Sequence, residues 1–431
     1  PEPPLDALDA AVRVLLLLAH RLHVRNMVAS GLTRRLVEAG HRLTIVAPAL
    51  DWIEVPLGLR QGVEFLPAGN YAGSARRGRL RRVLMLGTMV AREHQSRTMA
   101  HKLAYEGRSR LQIAGWRALR RVADLEQVAR GIEGRLRPSE AAQTLINTVR
   151  PDVLLWPTTF AQSNEELEVV KACRQVGVPI LALPASWDTL TSKPSALVRP
   201  DRLLVWGEAS AGHARRLGYA DREITVTGPP HWDCYGPPPA WNSRLMVLVA
   251  GTSLHFWADE AQVVYALQQV SRGAPWRILY RPHPSRLKDP AFKPPYGVEM
   301  DERLGYDLQP GFQEHLRDRL QASACVVAAF STLIVEAALM GVPSFVPAFA
   351  QSQKGPFGVL DHGTYDYMAE VVAWPGVQVV PSLAGLLDGV RRAGSGTLAY
   401  DPSWPLRREA LGIARVGGAQ ARILHAVAET T

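Results

Sequence analysis

The chain has 431 residues, of which 47% are hydrophobic and 21% are charged, and its formal net charge is +9. This length suffices for two domains with separate cores, and the composition excludes a disordered chain and favours anionic partners. The sequence contains no apolar run of about 18 residues, which argues against a membrane span, and its three distant cysteines (Cys173, Cys234, Cys325) argue against disulfides and structural zinc.

The first half of the chain alternates apolar strands with helices. A strand is predicted from Val12 to Leu18, a helix from about Asn26 to Ala39, and a second strand from His41 to Val46. Further strands are predicted at residues 153–156, 180–183, 202–206 and 224–227. Continuous apolar strands separated by helices are typical of a parallel sheet covered on both faces.

An Arg-rich, mostly helical segment interrupts this pattern between residues 75 and 150. Its basic residues lie beside Leu and Trp and include Arg76, Arg77, Arg79, Arg81, Arg82, Arg117, Arg120 and Arg121. The segment is either a solvated basic helix face or a surface that docks on an anionic membrane or a lipid-linked acceptor. Nucleic acid is not predicted as a partner, because the aromatic residues are not interleaved with the basic ones.

Proline-rich residues at 229–230 and 236–239 predict a stiff connection between two domains. The N-terminal domain is predicted over residues 1–235 and a second α/β domain over 243–400. The last residues, 401–431, are predicted to be helical and to pack back across the domains.

Polar residues directly follow three strands of the second half. They are Gly251, Thr252 and Ser253 after the first strand, Arg281 and His283 after the next, and Ser331 and Thr332 at a helix start after Cys325 to Phe330. Glu336 lies about one turn deeper in that helix, where a carboxylate is placed to hold ribose hydroxyls. A capped helix start alone is usually structural, whereas three polar strand ends at one sheet edge predict a nucleotide diphosphate site.

Several segments resemble GT-B-type nucleotide-sugar glycosyltransferases, especially those of bacterial surface-polysaccharide synthesis. The N-terminal residues from His23 to Asn26 and from Leu36 to His41 carry this resemblance, as do residues 186–193 and 226–233. The RPHP segment at 281–284 and the helix start at 331–343 resemble the donor site of that group and of glycerophosphate and sialic acid polymerising enzymes. The resemblance implies two Rossmann-like, doubly wound domains facing across a cleft, with the acceptor on the N-terminal side and the nucleotide sugar on the C-terminal side.

The implied activity is transfer of a sugar from a nucleotide-sugar donor to a saccharide or lipid-linked acceptor in cell-surface polysaccharide or glycolipid synthesis. The resemblance implies no cofactor and no metal, because positive side chains and helix dipoles neutralise the departing diphosphate. The sequence agrees in having no Asp-x-Asp loop motif. Such an enzyme is expected in the cytoplasm, peripheral at the inner face of the cytoplasmic membrane.

Transfer with inversion requires a base that removes the proton of the acceptor hydroxyl. His23, beside His20, matches the position of the family's base; otherwise His23 only hydrogen-bonds to loop backbone. The Asp that orients this His in related enzymes has no counterpart at residues 156–159. Asp188 is the substitute, and it would orient His23, act as the base itself, or cap the turn at Thr189.

Five further residues are candidates for contacts with donor or acceptor: Arg25, Asn26, Trp187, Lys193 and His362. Lys193 either reaches the donor phosphates or is solvated, and His362 either contacts the donor sugar or is an ordinary loop residue. Besides a polymerising transferase of the same fold, two other functions stay open. One is a non-hydrolysing nucleotide-sugar epimerase, which would normally have Gly-Gly where Ser331 and Thr332 stand, and the other is an inactive nucleotide-binding scaffold.

Overall fold

The computed structural model describes residues 11–48, 62–105, 109–161, 163–237, 244–252, 260–287, 292–293, 295–303, 311–349, 359–398 and 403–430. These residues form two compact units. The N-terminal unit contains the described residues through Asp233 together with 414–430, and the C-terminal unit contains those between 234 and 413.

Parallel strands form one sheet in each unit. The N-terminal sheet consists of β1 Arg13–Leu17, β2 Arg42–Ala47, β3 Val63–Pro67, β4 Val153–Thr158, β5 Ile180–Pro184, β6 Arg202–Val205 and β7 Ile224–Val226. The C-terminal sheet consists of β8 Met246–Ala250, β9 Arg277–Arg281, β10 Glu299–Met300, β11 Ser323–Ala328, β12 Ser344–Pro347 and β13 Val377–Val380.

Helices connect these strands. In the N-terminal unit they are α1 Arg21–Val24, α2 Leu32–Glu38, α3 Ala75–Arg92, α4 Arg97–Tyr105, α5 Arg110–Leu119, α6 Leu125–Arg135, α7 Glu140–Val149, α8 Asn164–Gln175, α9 Thr189–Ser192 and α10 Glu208–Arg216. The C-terminal unit contains α11 Glu260–Ser271, α12 Pro284–Leu287, α13 Phe312–Gln321, α14 Thr332–Leu339, α15 Val359–Gly363, α16 Ala369–Val372, α17 Leu383–Gly394 and α18 Ser403–Ile413. The last helix, α19 Ala419–Ala428, belongs to the N-terminal unit.

Strand order creates a topological switch point in each sheet. The orders are β3-β2-β1-β4-β5-β6-β7 and β10-β9-β8-β11-β12-β13. The chain therefore moves outward from β1 and from β8, and returns on their other side at β4 and β11. Ligands of doubly wound sheets bind at the carboxyl ends of the strands beside such a reversal. Both units thus have the Rossmann-like topology that the sequence predicts.

Both faces of the N-terminal sheet are buried, which explains why its strands are continuously apolar. Leu15 and Leu17 pack in a core with Ala142 of α7 and Val169 of α8. Leu16, on the opposite face, packs in a second core with side chains of α2 and α19. Each fully buried Leu stabilises the fold by about 1.5–3 kcal/mol.

One local prediction for the first half is wrong, and one strand was not predicted. The helix predicted from Asn26 to Ala39 is broken, because a π-helix at Arg25–Ala29 ends before Gly31, which takes a φ of +86° at the start of α2. β3 was not expected, since it is a half-exposed edge strand with Glu64 between Val63 and Phe65. In the second half, the strand expected from Cys325 to Phe330 begins at Ser323 and ends at Ala328.

The Arg-rich segment forms α3 to α7, and its arginines do not share one environment. Arg81 is buried and pairs with Glu133 and Glu168, both at 2.8 Å, so its place in a membrane-facing cluster is wrong. Arg77 also bonds to Glu168. Arg76, Arg79 and Arg82 are exposed along α3. In the described part of the chain, no helix combines the length and apolarity needed to cross a membrane.

Candidate functional site

The C-terminal unit presents three adjacent loops at the carboxyl edge of its sheet. Gly251 and Thr252 follow β8, His283 follows β9, and Ser331 follows β11. Because β9, β8 and β11 are neighbours in the sheet, these loops lie side by side at the switch point. The structure therefore brings these sequence-predicted donor residues together, while Ser253 lies outside the described residues.

Ser331 begins α14 without capping it. Its backbone is extended, with a φ of −157°, and its side chain makes no capping hydrogen bond. By contrast, the hydroxyls of Ser139 and Ser163 cap α7 and α8. Ser331 and Thr332 are both partly exposed. The first turn of α14 thus has N–H donors, two hydroxyls and the positive end of the helix dipole, a combination that binds phosphate.

Glu336 lies one turn into α14 and is buried at 7% exposure. Its Oε1 accepts hydrogen bonds from Gln313 Nε2 at 2.6 Å and from Tyr235 OH at 3.2 Å. Gln313 also donates to the Tyr235 hydroxyl at 2.8 Å. This network fixes the Glu336 carboxylate relative to α13, so the residue predicted to hold ribose also has a structural role.

Glu260 holds the loop after β8, and sequence reasoning missed it. Its carboxylate accepts hydrogen bonds from the backbone N–H of Thr252 at 2.8 Å and from the Tyr280 hydroxyl, and it pairs with Arg286 at 3.2 Å. A Cβ at Gly251 would lie 2.3 Å from Glu260 Oε1, so a larger residue there would displace the Glu260 carboxylate. An acidic residue at the start of the helix that follows a Gly-Thr loop is the signal that could have identified Glu260.

Arg281, the last residue of β9, and His283, which follows it, have different environments. The Arg281 guanidinium pairs with buried Asp301 and donates to the carbonyl oxygen of Arg303 at 2.6 Å. Asp301 is also bonded by His315 at 2.7 Å. Burial and the nearby Arg286 lower the pKa of His283. The charge of Arg281 is therefore largely neutralised by Asp301, which leaves the α14 helix start as the better placed donor set.

His362 lies in an aromatic cluster next to the start of α14. Its Nε2 is 2.7 Å from the Tyr367 hydroxyl, and its ring packs on Phe330 and Tyr365. Phe330 directly precedes Ser331, which places His362 beside the predicted phosphate-binding turn.

In the N-terminal unit, His20 and His23 follow β1 at the switch point, with His20 at the N-cap of α1 and His23 within that helix. His20 is exposed and its Nδ1 accepts the N–H of Leu22, which caps α1. His23 is 2% exposed, and within the described chain neither of its ring nitrogens has a hydrogen-bond partner. Burial, and secondarily His20, lowers the pKa of His23 to about 3, so this imidazole is neutral at pH 7.

Arg25 and Asn26 join this loop to the end of β5. Asn26 Nδ2 donates to the carbonyl oxygen of Ala185 at 3.1 Å, and Arg25 donates to Asn26 Oδ1 at 3.0 Å. His231 follows β7 and is buried, and its burial is the main cause that lowers its pKa. The positive charge of nearby Arg25 lowers the pKa of His231 further. Arg25 and Asn26 therefore position the chain after β1.

Asp188 lies in the loop after β5, between buried Trp187 and α9. Its Oδ2 accepts a 2.5 Å hydrogen bond from Ser192 Oγ. Burial favours the neutral acid, but Lys193, the hydroxyls of Ser186 and Ser192, and Lys102 outweigh it and lower the Asp188 pKa. Asp188 is therefore ionised at neutral pH, in a positive environment that Lys193 helps to create.

The structure records no hydrogen bond between His23 and Asp188. They follow β1 and β5, two strands that are separated by β4. At the usual strand spacing, β1 and β5 are therefore about 10 Å apart. Lys193 links the two loops, since it lowers the pKa of both His20 and Asp188. Among the described residues, no group of three His, Cys, Asp or Glu side chains is arranged to hold a metal ion.

Solved structures with the same fold include glycosyltransferases and epimerases. The calicheamicin glycosyltransferase CalG4 is 14% identical with a TM-score of 0.54, over 98% of both chains. The glycosyltransferase of kitacinnamycin is 15% identical with a TM-score of 0.52, over 97% of this chain and 99% of that one. UDP-N-acetylglucosamine 2-epimerase from Rickettsia bellii is 11% identical with a TM-score of 0.51, over 97% of both chains.

No family model and no curated protein matches the sequence. The structural likeness, together with the two Rossmann-like units, establishes the GT-B fold, as the sequence resemblance implies. Because the fold is shared by transferases and epimerases, the activity has to be argued from the site.

Proposed function

We propose that this protein is a metal-independent glycosyltransferase that uses a nucleotide-sugar donor. The C-terminal unit binds the donor and the N-terminal unit binds a saccharide or lipid-linked acceptor. The observation that carries the proposal is the uncapped start of α14, where Ser331 and Thr332 lie beside the loops after β8 and β9. That arrangement supplies hydrogen-bond donors and positive potential for a diphosphate.

The proposed chemistry begins with His23, a neutral imidazole without hydrogen-bond partners in the described structure. A buried polar group without a partner costs about 1–3 kcal/mol, and such groups in native structures often mark a functional role. In the proposed step His23 takes the proton of an acceptor hydroxyl as that oxygen forms a bond to the anomeric carbon. The bond from this carbon to the diphosphate breaks, and the start of α14 stabilises the charge that leaves.

Asp188 has two roles in this proposal, of which experiment selects one. In the first role, the negative charge of Asp188 stabilises the protonated His23 without a direct hydrogen bond. In the second role, Asp188 is itself the base. The pKa values of His23 and Asp188 are both depressed, so each is a weak base and only the variants of both residues select between the two roles. Acceptors of surface-polysaccharide or glycolipid synthesis fit the sequence resemblance.

An epimerase is the second candidate, because epimerases share the fold at similar TM-scores. One solved neighbour is the UDP-GlcNAc 2-epimerase from Neisseria meningitidis bound to UDP-GlcNAc, at a TM-score of 0.50. An epimerase converts the nucleotide sugar without an acceptor, whereas a transferase releases the nucleotide only when an acceptor is supplied. This difference separates the two activities.

The test combines calorimetry with product analysis. UDP, dTDP, GDP and CMP are titrated into the protein, and the sugar nucleotide of the base that binds is incubated with and without an acceptor panel in EDTA. Acceptor-dependent release of the nucleotide supports the proposal. A new isomer of the donor formed without acceptor identifies an epimerase. Binding of no nucleotide, or binding without any turnover, points to an inactive scaffold.

A further inference from the structure

A cavity of about 1100 Å³ lies in the N-terminal unit, away from the site described above. It is lined by the end of α6, the end of α8, and the residues that lead into β6 and β7. These segments meet the sheet at the amino ends of its strands, whereas His23 and Asp188 follow the carboxyl ends. The cavity is thus separate from the proposed acceptor site.

Every acidic side chain that lines this cavity is already paired with an arginine. Asp201 pairs with Arg174 at 2.6 Å, Glu223 with Arg199 at 2.9 Å, and Glu429 with Arg202 at 3.0 Å. Two further cations of the wall are also matched: Lys171 pairs with Glu133 and Arg130 with Glu126. These pairs leave no acid of the lining to balance additional positive charge.

Three more arginines line the same volume: Arg135, Arg137 and Arg222. All three are exposed, and within the described residues none forms an ion pair, although Arg222 helps to lower the pKa of neighbouring Glu223. The cavity therefore has an excess of three positive charges. Guanidinium groups donate in a planar, forked geometry that suits phosphate oxygens, and several of them converging on one volume favour a multivalent anion.

Apolar side chains provide part of the remaining surface, notably Leu136 and Val198, which are partly exposed. Leu181 and Leu197 also border this volume, but they are fully buried and support the wall from within the core. The volume of about 1100 Å³ is slightly above the usual range for small-molecule sites and exceeds the needs of a bare phosphate. An anionic group attached to an organic moiety matches both parts of the lining.

We propose that this cavity binds a small molecule bearing a diphosphate or triphosphate group, at a site distinct from the donor site. Arg135, Arg137 and Arg222 bind the phosphates, while the apolar wall contacts the rest of the ligand. The proposal does not depend on the glycosyltransferase assignment, because the residues involved belong to neither proposed half of that site.

The experiment uses inorganic tripolyphosphate and UDP as probes. Their binding is measured by isothermal titration calorimetry at 50 and 300 mM NaCl. The test variant is R135A/R137A/R222A. The matched control is R76A/R79A/R82A, which removes the same charge from exposed positions of α3. Thermal unfolding of each variant verifies that it is folded. Since none of the six side chains belongs to a described ion pair, both variants are expected to unfold near the wild-type temperature.

We expect tripolyphosphate to bind the wild type at a site that is weaker at high salt, at least about tenfold weaker in the test variant, and unchanged in the control. UDP that binds with two sites in the wild type and one in the test variant identifies a nucleotide site; tripolyphosphate binding alone identifies a simple polyphosphate site. The proposal is overturned if the wild type binds neither probe at millimolar concentration, if both variants lose affinity equally, or if the test variant binds like the wild type. Failure of donor binding or turnover leaves the tripolyphosphate result unaffected, so the two proposals fail separately.

Discussion

Gln313 Nε2 donates a 2.6 Å hydrogen bond to Glu336 Oε1, and this contact joins α13 to the helix that begins at the proposed phosphate site. Glu336→Ala removes the carboxylate that is proposed to hold the ribose, and we expect nucleotide affinity to fall about tenfold to a hundredfold. Calorimetric titration of the nucleotide measures the change.

Gln313→Leu is the matched control for Glu336, because it removes the same hydrogen bond and keeps the carboxylate. It should lower the unfolding temperature and leave nucleotide affinity within about threefold of the wild type. If the two variants lose affinity equally, Glu336 acts by holding α14 in place, and it has no direct contact with the ribose.

The topology was predictable from sequence, whereas the polar contacts of the site were not. Val14 to Leu17 and Met246 to Ala250 are buried on both faces, and that burial produces the apolar runs that identify central parallel strands. β3 has no such run, because Glu64 is exposed at the edge of the sheet. Gly31 broke a helix that periodicity alone would continue.

The acidic partners of Arg281 and Arg81 are distant from them in sequence, so no local sequence pattern predicts these ion pairs. Arg281 was expected to supply charge to a diphosphate, yet it pairs with Asp301, which is 20 residues away. Only the register of β9 beside β10 brings them together, since Met300 pairs with Tyr280. Arg81 likewise pairs across helices with Glu133 and Glu168, so its burial is invisible in a basic run. Sequence patterns therefore indicated where the site lies but not which of its charges are already neutralised.

His23→Ala tests the proposed base. We expect turnover to fall by about two to four orders of magnitude with unchanged nucleotide affinity, because the imidazole acts on the acceptor and makes no contact with the nucleotide in the proposal. Steady-state kinetics with saturating donor give the turnover, and calorimetry gives the affinity. His20→Ala, at the N-cap of the helix that contains His23, is the control and should retain most of the activity.

Asp188→Asn completes this comparison. A loss of turnover similar to that of His23→Ala, without further loss in the double variant, would show that the two residues act as a pair. Near-normal rates in His23→Ala together with no activity in Asp188→Asn would reverse the assignment and make Asp188 the base.

Glu260→Gln and Gly251→Ala test the loop after β8. Glu260 is buried with Arg286, and breaking a buried pair costs about 3–5 kcal/mol of unfolding free energy. In Gly251→Ala the new Cβ would lie 2.3 Å from Glu260 Oε1 and displace that carboxylate. Chemical denaturation should show both variants destabilised, with weaker nucleotide binding. Wild-type affinity in a folded Gly251→Ala protein would exclude this loop from the donor site.

Glu166 should make the stability of the protein depend on pH. It is buried in the N-terminal unit, where its Oε1 accepts from Trp156 Nε1 and its Oε2 from the N–H of Ser163. Burial outweighs these hydrogen bonds and raises the Glu166 pKa from 4.5 to about 7. The protonated carboxyl therefore contributes stability that is fully present below about pH 4.5 and is lost as the pH rises through about 7, amounting to about 3 kcal/mol.

Glu166→Gln removes this titration and keeps the shape of the side chain. Unfolding free energies measured from pH 5 to pH 8 should fall more steeply in the wild type than in the variant. Parallel curves would show that Glu166 has a similar pKa in the folded and unfolded states.

Membrane association, a prediction from the Arg-rich segment, now has a defined set of residues. Arg76, Arg79 and Arg82 are exposed on α3. Leu111 in α5 is 86% exposed, and Val122, shortly after that helix, is 82% exposed. Exposed basic residues attract anionic lipid by about 1 kcal/mol each, and exposed apolar residues add shallow insertion.

The measurement is co-sedimentation with anionic vesicles at low salt, comparing the wild type with R76E/R79E/R82E. R391E/R392E/R408E, which makes the same charge change at exposed positions of the C-terminal unit, is the control. We expect the wild type and the control to sediment and the α3 variant to stay in solution. Equal sedimentation of both variants would mean that binding follows the net charge of +9 rather than this surface, and absence of wild-type binding would make these helices a solvated face.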